Sequence, residues 1–293
     1  MVFNTLLIGG RGTIGSGLRT YLPGMDERYR FCSIDLPGAP DRAEGRAEGR
    51  FVDMNIVEEP DRFRAMLQEF DLVVYLARQG DLAAMNAMTD LVFESVLDLC
   101  GPGRPGRPGS PGVPGGAGGP GGPGGQEGPD HRPMIVGSSS VHAVDDAYRF
   151  FESGAYALIA ERKFDSIREW PDPISAHLPA CPINDYGHEK AYVEAWVERA
   201  AERGCGAVAT RWGGVNPRNT PITEEPGYFA VWCHQQDAAA MVHAAYTAHL
   251  AGKLPPARHY FVISDNTYNI FDIQTPKEEI GYAPRHDAET FFR

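Results

Sequence analysis

The sequence predicts an α/β fold built on a doubly wound parallel sheet. Short apolar runs of strand length alternate with helical segments along most of the 293 residues. Repeated βα units of this kind place helices on both faces of one sheet. The first apolar run also leads into a glycine-rich turn and then a helix, which is typical of the first unit of such a sheet.

The elements follow one another in a regular order. Strands are predicted at Phe3–Ile8 and at residues 30–36, 51–54, 72–77, 134–136 and 207–212. Helices are predicted at residues 14–22, 60–70, 85–100 and 186–203, and the clearest helical pattern is that of residues 60–70. Residues 134–136 resume the sheet as a buried strand. A small C-terminal region follows the sixth strand.

Residues 101–132 interrupt this order with a Gly/Pro-rich segment of low complexity. Residues 101–130 hold 14 of the 34 Gly and 8 of the 24 Pro, and Gly recurs at every third position from Gly103. This spacing is what a collagen triple helix requires. A disordered loop is favoured, because the segment has too few apolar side chains to bury. It joins a helix to the fifth strand, so we expect it at the sheet edge opposite the strand carboxyl ends.

Charge and composition exclude several classes of protein. The net charge of −12 argues against nucleic acid or an anionic membrane surface as partner. No apolar run approaches the ~18–20 residues needed to span a bilayer, and no signal peptide is evident. The five cysteines are widely spaced, so we predict reduced thiols in a cytoplasmic protein. The nine histidines show no metal-ligand spacing, so no metal site is predicted.

A GxxGxxG pattern occupies residues 9–15. Gly9, Gly12 and Gly15 would permit a tight turn, close approach to a pyrophosphate and tight helix–strand packing. A helix follows from about Ile14, and the amides at its N-terminus would bind the phosphates. The pattern therefore predicts a dinucleotide site of the Rossmann type.

Asp35 stands at the end of the second predicted strand, 20 residues after Gly15. A carboxylate at this place accepts hydrogen bonds from the adenosine ribose and repels a 2′-phosphate, which favours NAD over NADP. Asp35 could instead be a simple turn residue. Arg11, inside the glycine loop, could meet a 2′-phosphate and so favours NADP. Asp35 is the more direct contact, and NAD is the predicted cofactor.

Tyr186 and Lys190 form a YxxxK pair, which places both side chains on one face of a helix. A lysine there lowers the pKa of the phenol, so that the tyrosine can act as a general base. An incidental surface pair is the alternative. Ser138, Ser139 and Ser140 directly follow the fifth predicted strand. They could merely cap a turn, or supply the donor that holds a substrate hydroxyl.

Together these motifs resemble the extended short-chain dehydrogenase/reductase family, the NAD-dependent epimerase/dehydratase family. The resemblance covers most of residues 1–250. Besides the glycine loop, Asp35, the serines and YxxxK, the matching residues are Asp53, Met54, Leu76, Ala77, Asn86, Arg211, Trp212, Gly213 and Pro217. Residues 140–144 are most similar to uronate dehydrogenases and related sugar dehydrogenases. Residues 261–266 resemble the final strand of those enzymes.

The resemblance implies a role for each of these residues. Ser140, Tyr186 and Lys190 would be catalytic. The cofactor would be bound by Gly9, Gly12, Thr13, Ile14, Gly15, Asp35, Asp53, Met54, Leu76, Ala77, Tyr186 and Lys190. The substrate would be bound by Arg78, Gln79, Ser140, His142 and Asn216, with contributions from residues 145–185, 213–232 and 264–293.

The resemblance also implies an activity: NAD-dependent oxidation of a sugar or sugar-acid hydroxyl. A nucleotide-sugar epimerase with tightly bound NAD is the alternative enzyme. A non-catalytic NAD(P)-binding protein is the alternative outside catalysis. The family tendency is to form a homodimer, here through the helices near residues 85–100 and 186–203.

Overall fold

The computed structural model describes residues 2–42, 49–100, 133–144 and 150–292. Seven parallel strands form one sheet in the order β3-β2-β1-β4-β5-β6-β7. They are β1 (Phe3–Ile8), β2 (Tyr29–Asp35), β3 (Arg50–Asp53), β4 (Leu72–Tyr75), β5 (Met134–Ser140), β6 (Gly206–Trp212) and β7 (Arg258–Val262). The strand order reverses between β1 and β4, where doubly wound sheets bind ligands. The predicted Rossmann-type α/β fold is confirmed.

Helices cover both faces of the sheet. They are α1 (Thr13–Met25), α2 (Pro60–Leu67), α3 (Leu82–Cys100), α4 (Gly154–Ala160), α5 (Asp185–Glu202), α6 (Tyr228–Val231), α7 (Gln235–Leu250) and α8 (Gln274–Ile280). Pro60 opens α2, where its missing N–H is not needed. Asn184 caps α5 by accepting a hydrogen bond from the amide of Gly187 at 2.8 Å. Within the described ranges, no helix has the length and apolar character needed to cross a membrane.

Several elements differ from the sequence-based expectation. β5 continues to Ser140, because its ladder with β6 extends to the pair Ser140–Trp212; the serines end the strand rather than follow it. The last strand is Arg258–Val262 and not residues 261–266, because its partner β6 ends at Trp212. The short helices α4, α6 and α8 were not predicted, and neither was the longer helix α7. Most of its residues are buried, so it lacks the polar face that marks an amphipathic helix.

The core lies in two layers, one on each face of the sheet. Alternate β1 residues point to opposite faces: Leu6 and Ile8 pack with residues of α2, α3 and α5, while Phe3 and Leu7 pack with residues of α1 and α7. A third apolar cluster contains Ile174, Trp232 and Phe271 among others. It joins the described parts of residues 145–185, 213–232 and 264–293, the three segments to which the resemblance assigns substrate binding.

The Gly/Pro segment itself lies outside the described residues, but its attachment points are described. α3 ends at Cys100 and β5 begins at Met134, at the amino end of the strands. Cys100 Sγ lies 4.0 Å from the carbonyl oxygen of Pro133. The two attachment points, Cys100 and Pro133, therefore lie close together at the sheet edge where the segment is predicted.

A disulfide joins Cys100 to Cys205, across 105 residues of sequence. The prediction of five reduced thiols is therefore wrong for this pair. The two cysteines meet because α3 ends, and β6 begins, at the same edge of the sheet. The spacing of Cys100 and Cys205 in the sequence does not indicate that they are in contact. Cys32 and Cys233 remain as buried thiols.

Candidate active site

A cleft of about 800 Å³ opens at the carboxyl ends of β1, β2 and β4. Most of the predicted cofactor residues line it: Gly9, Gly12, Thr13, Ile14, Gly15, Asp35, Met54, Leu76, Ala77 and Tyr186. Of the predicted substrate residues, Arg78 and Gln79 also line it. The structure thus brings the glycine loop and the YxxxK tyrosine, far apart in sequence, into one cavity.

The glycine loop has a shape that larger residues could not take. Gly9 has φ = 88°, and a Cβ there would lie 2.7 Å from the amide nitrogen of Ala77. A Cβ on Gly15 would lie 2.5 Å from the carbonyl oxygen of Gly10. α1 begins immediately after Gly12, so its first amides face the cleft. A helix start bordered by such a loop is suited to bind a pyrophosphate.

Asp35 and Arg11 have different tasks in this cavity. The amide of Arg11 donates to Asp35 Oδ2 at 3.0 Å, which fixes the carboxylate at the rim of the loop. Burial raises the pKa of Asp35, and this hydrogen bond opposes the rise. The Arg11 guanidinium turns to Asp53, with Nη1 2.7 Å from Oδ1. Asp53, which the resemblance assigns to the cofactor, does not line the cleft and instead neutralises Arg11.

Several lining residues were missed by the sequence-based reasoning: Arg42, Asn55, Ile56 and Val215. Arg42 binds the glycine loop twice, through its amide to the carbonyl of Arg11 and through Nη1 to Thr13 Oγ1, both at 3.1 Å. Asn55 and Ile56 follow Met54 directly, so the matched pair Asp53-Met54 could have pointed to them. No sequence pattern pointed to Arg42, because only folding brings it next to the glycine loop.

Tyr186 lies in the first turn of α5, and Lys190 one turn later. Lys190 is 4% exposed, and its Nζ lies 5.3 Å from the centre of the Tyr186 ring. Burial lowers the pKa of the Lys190 ammonium, and the neighbouring Glu189 carboxylate opposes this fall. Lys190 is not part of the cleft lining but lies behind Tyr186. A buried cation beside a phenol favours the phenolate.

Glu189 and Arg78 complete the surroundings of the tyrosine. Arg78 Nε donates to Glu189 Oε1 at 2.7 Å, and Lys190 Nζ lies 3.4 Å from the same oxygen. The Arg78 guanidinium carbon lies 4.7 Å from the centre of the Tyr186 ring. The sequence-based reasoning had not assigned Glu189 any role, although it stands inside the YxxxK motif.

The three serines are distinguished by their hydrogen bonds. Ser138 Oγ accepts from the Trp212 indole at 2.9 Å, and Ser139 donates to Glu194 at 2.6 Å. Glu194, on α5, also binds the buried Arg211 through both oxygens at 2.8 Å. These contacts tie α5 to β5 and β6. Ser138 and Ser139 thus hold the scaffold, and Ser140 is the one at the strand terminus.

Ser140 ends β5 and His142 lies in the turn that follows it, and neither residue lines the cleft. Ser140 Oγ accepts a hydrogen bond from the His142 amide at 3.2 Å. The His142 ring stands edge-on to the Tyr186 ring, with 5.3 Å between centres. These two contacts bring Ser140, His142 and Tyr186 into one group next to the cofactor cleft.

Asn216 does not join that group. Its amide donates to the carbonyl of Thr220 at 2.7 Å and to the Tyr228 hydroxyl at 3.3 Å, and its Oδ1 accepts from the Arg218 amide at 3.1 Å. The side chain therefore shapes the loop after β6, because its donor and acceptor are both used there. Its neighbour Val215 lines the cleft instead.

No protein-family model and no curated protein matches the chain. Solved structures resemble it, and the three described here do so at 12–16% identity. Glucuronic acid dehydrogenase from Chromohalobacter salexigens has a TM-score of 0.66 at 16% identity, covering 100% of this chain and 88% of that one. A mutant uronate dehydrogenase from Agrobacterium tumefaciens, complexed with NAD, has a TM-score of 0.64 at 16% identity, covering 100% of this chain and 88% of that one. dTDP-glucose 4,6-dehydratase from Bacillus anthracis, in complex with NAD, has a TM-score of 0.62 at 12% identity, covering 98% of this chain and 93% of that one. At these identities the likeness establishes the fold, which is the one that the resemblance implied.

Proposed function

We propose that this chain is an NAD-dependent oxidoreductase of the extended short-chain dehydrogenase/reductase type, which oxidises a hydroxyl of a sugar or sugar acid. The observation that carries the proposal is the meeting of Tyr186 with the glycine loop and Asp35 in one cleft, with Lys190 buried behind the tyrosine. The fold shared with sugar dehydrogenases supports the substrate class.

The residues of the cleft fit NAD. The glycine loop and the first amides of α1 would hold the pyrophosphate, and Asp35 would accept hydrogen bonds from the adenosine ribose. Arg11 is neutralised by Asp53, which leaves it less able to attract a 2′-phosphate. When bound, NAD supplies the acceptor for the hydride.

Ser140, Tyr186 and Lys190 divide the remaining chemistry. The Tyr186 phenolate accepts the proton of the substrate hydroxyl while the substrate carbon that bears this hydroxyl loses its hydride. Lys190 stabilises the phenolate, because its charge is buried and therefore poorly screened. Ser140 Oγ already accepts from the His142 amide, so its own O–H is available to hold the substrate oxygen. Arg78 and Gln79, at the cleft mouth, would contact the sugar.

A panel of free sugars, sugar acids and nucleotide sugars, followed by the absorbance of NADH or NADPH, tests this proposal. We expect net NADH formation with a free sugar or sugar acid, lost in Tyr186→Phe and retained in Tyr192→Phe. Tyr192 is a matched control because it lies on the same helix and binds Asp90 away from the cleft. Conversion of nucleotide sugars without net NADH would identify an epimerase instead. Unchanged function in Tyr186→Phe would favour a non-catalytic dinucleotide-binding protein.

We also propose a homodimer formed through α3 and α5. The resemblance is the ground for this proposal, and within one chain the two helices lie side by side, with Asp90 on α3 accepting hydrogen bonds from Tyr192 and Trp196 on α5. Light scattering after size exclusion should give twice the mass of the chain. A monomeric mass would refute the dimer and leave the proposed activity untouched.

A further inference from the structure

Glu189 is a buried carboxylate held between two cations. It is 2% exposed. Its Oε1 accepts from Arg78 Nε at 2.7 Å and lies 3.4 Å from Lys190 Nζ. A buried carboxylate is unfavourable unless it is paired and hydrogen-bonded. The pairing joins the loop after β4 to α5, across 111 residues of sequence.

The same groups surround Tyr186. Titratable or charged described residues around it include Arg78 from the loop after β4, His142 from the turn after β5, and Glu189 and Lys190 from α5. Arg78 Cζ lies 4.7 Å and Lys190 Nζ lies 5.3 Å from the centre of the Tyr186 ring, and the His142 ring centre lies 5.3 Å from it. A change in charge at Arg78 or Glu189 must therefore reach Tyr186.

We propose that Glu189 and Arg78 are positioning residues of this site. Glu189 holds the Lys190 ammonium charged and in place behind Tyr186, while Arg78 fixes Glu189 from the cleft side and adds a second cation beside the tyrosine. The inference rests on the proposed function, because that function makes Tyr186 the base. It assigns a task to two residues outside the Ser–Tyr–Lys set.

The physical reason lies in the burial of Lys190. An ammonium with almost no access to water would lose its proton readily, because burial disfavours the charged form. Glu189 supplies the counter-charge that water cannot. Arg78 has an exposed side chain, so it can reach both the cleft and Glu189. Its positive charge favours the phenolate form of Tyr186. Glu189 Oε1 is shared between Arg78 and Lys190, so the two cations together hold the carboxylate in place.

The chain offers a direct readout of Lys190, because it contains only four lysines: Lys163, Lys190, Lys253 and Lys277. NMR of protein labelled with 13C at the lysine Cε atoms gives four signals, and Lys190→Arg identifies one of them. We expect this signal to titrate at lower pH in Glu189→Gln than in the wild type. General loosening of the site would have the opposite effect, since exposure to water returns a lysine toward its ordinary, higher pKa.

The matched control is Glu279→Gln, which breaks the ion pair of Glu279 with Arg258, 2.8 Å apart, at β7. It should leave the Lys190 titration unchanged. An unchanged Lys190 titration in Glu189→Gln, or a shift to higher pH, would overturn the proposal. No substrate is needed, so this result does not depend on the proposed activity. A wild type that oxidises no sugar would reject that activity even if the lysine signal moves.

Arg78 is tested by kinetics, which also covers the case that Glu189→Gln fails to fold. In Arg78→Met, we expect kcat/KM at neutral pH to fall about tenfold, with its acidic limb moved to higher pH. The sign follows because Tyr186 must lose its proton to act as base, and the lost cation had favoured that. Arg78→Lys should retain most of the wild-type profile. Loss of a sugar contact alone would lower kcat/KM equally at all pH values, so an acidic limb that does not move in Arg78→Met would refute the assigned role of Arg78.

Discussion

Replacing both Cys100 and Cys205 by alanine is expected to lower the free energy of unfolding by about 4–5 kcal/mol. The disulfide closes a loop of 105 residues, and closing a loop of that size in the unfolded chain corresponds to about 4.7 kcal/mol in the chain-entropy description. For a chain of this length, each kcal/mol moves the melting temperature by about 2 °C. The double variant should therefore melt roughly 8–10 °C below the oxidised protein.

Thermal unfolding followed by circular dichroism, with and without reductant, measures this difference. Reduction should destabilise the wild type and leave the double variant unchanged, and Cys181→Ala is the control because Cys181 lies outside the bond and is exposed. Thiol titration in denaturant should find three thiols before reduction and five after it. Five thiols in the unreduced protein, or equal melting of oxidised and reduced wild type, would refute the reasoning.

Three further outcomes are expected. Asp35→Ser should shift the ratio of kcat/KM for NAD over NADP by about tenfold toward NADP, because the repulsion of a 2′-phosphate is lost; an unchanged ratio would show that Asp35 does not select the cofactor. Deletion of residues 103–125 should leave turnover and NAD binding intact and raise the free energy of unfolding by about 1 kcal/mol, since closing a shorter chain segment costs less entropy; loss of NAD binding would contradict the position predicted for that segment. Burial lowers the pKa of His234 to about 4. Below about pH 6.5 the unfolded state therefore binds a proton at this residue that the native state does not bind, and the free energy of unfolding falls by up to about 3 kcal/mol toward pH 4. In His234→Asn, which keeps a helix-capping side chain, urea unfolding at several pH values should show a shallower decline over that range.

Features encoded by neighbouring residues could be predicted from the sequence. The strand, glycine turn and helix at residues 3–25 follow from apolar runs and glycine spacing, and Asp35 follows from its distance to the loop. YxxxK predicts a shared helix face for Tyr186 and Lys190 because four residues make about one turn. In each case the signal lies within one element or two consecutive ones.

Features made by distant segments could not be predicted. Arg78 and Glu189 are 111 residues apart, and Cys100 and Cys205 are 105 apart; only the folded sheet brings them together. The serine run shows the same limit, since its polar contacts with Trp212 and Glu194 separate Ser138 and Ser139 from Ser140. Helix α7 escaped because burial on nearly all sides removes the periodic pattern on which helix prediction depends.

The meeting of Cys100 and Pro133 makes residues 101–132 a natural graft site. Because the two attachment points touch, a foreign domain whose own termini are close together could replace the segment without stretching α3 or β5. The graft would stand on the side of the sheet away from the cofactor cleft. A fluorescent or affinity module inserted there would report on the protein while leaving the cleft unobstructed.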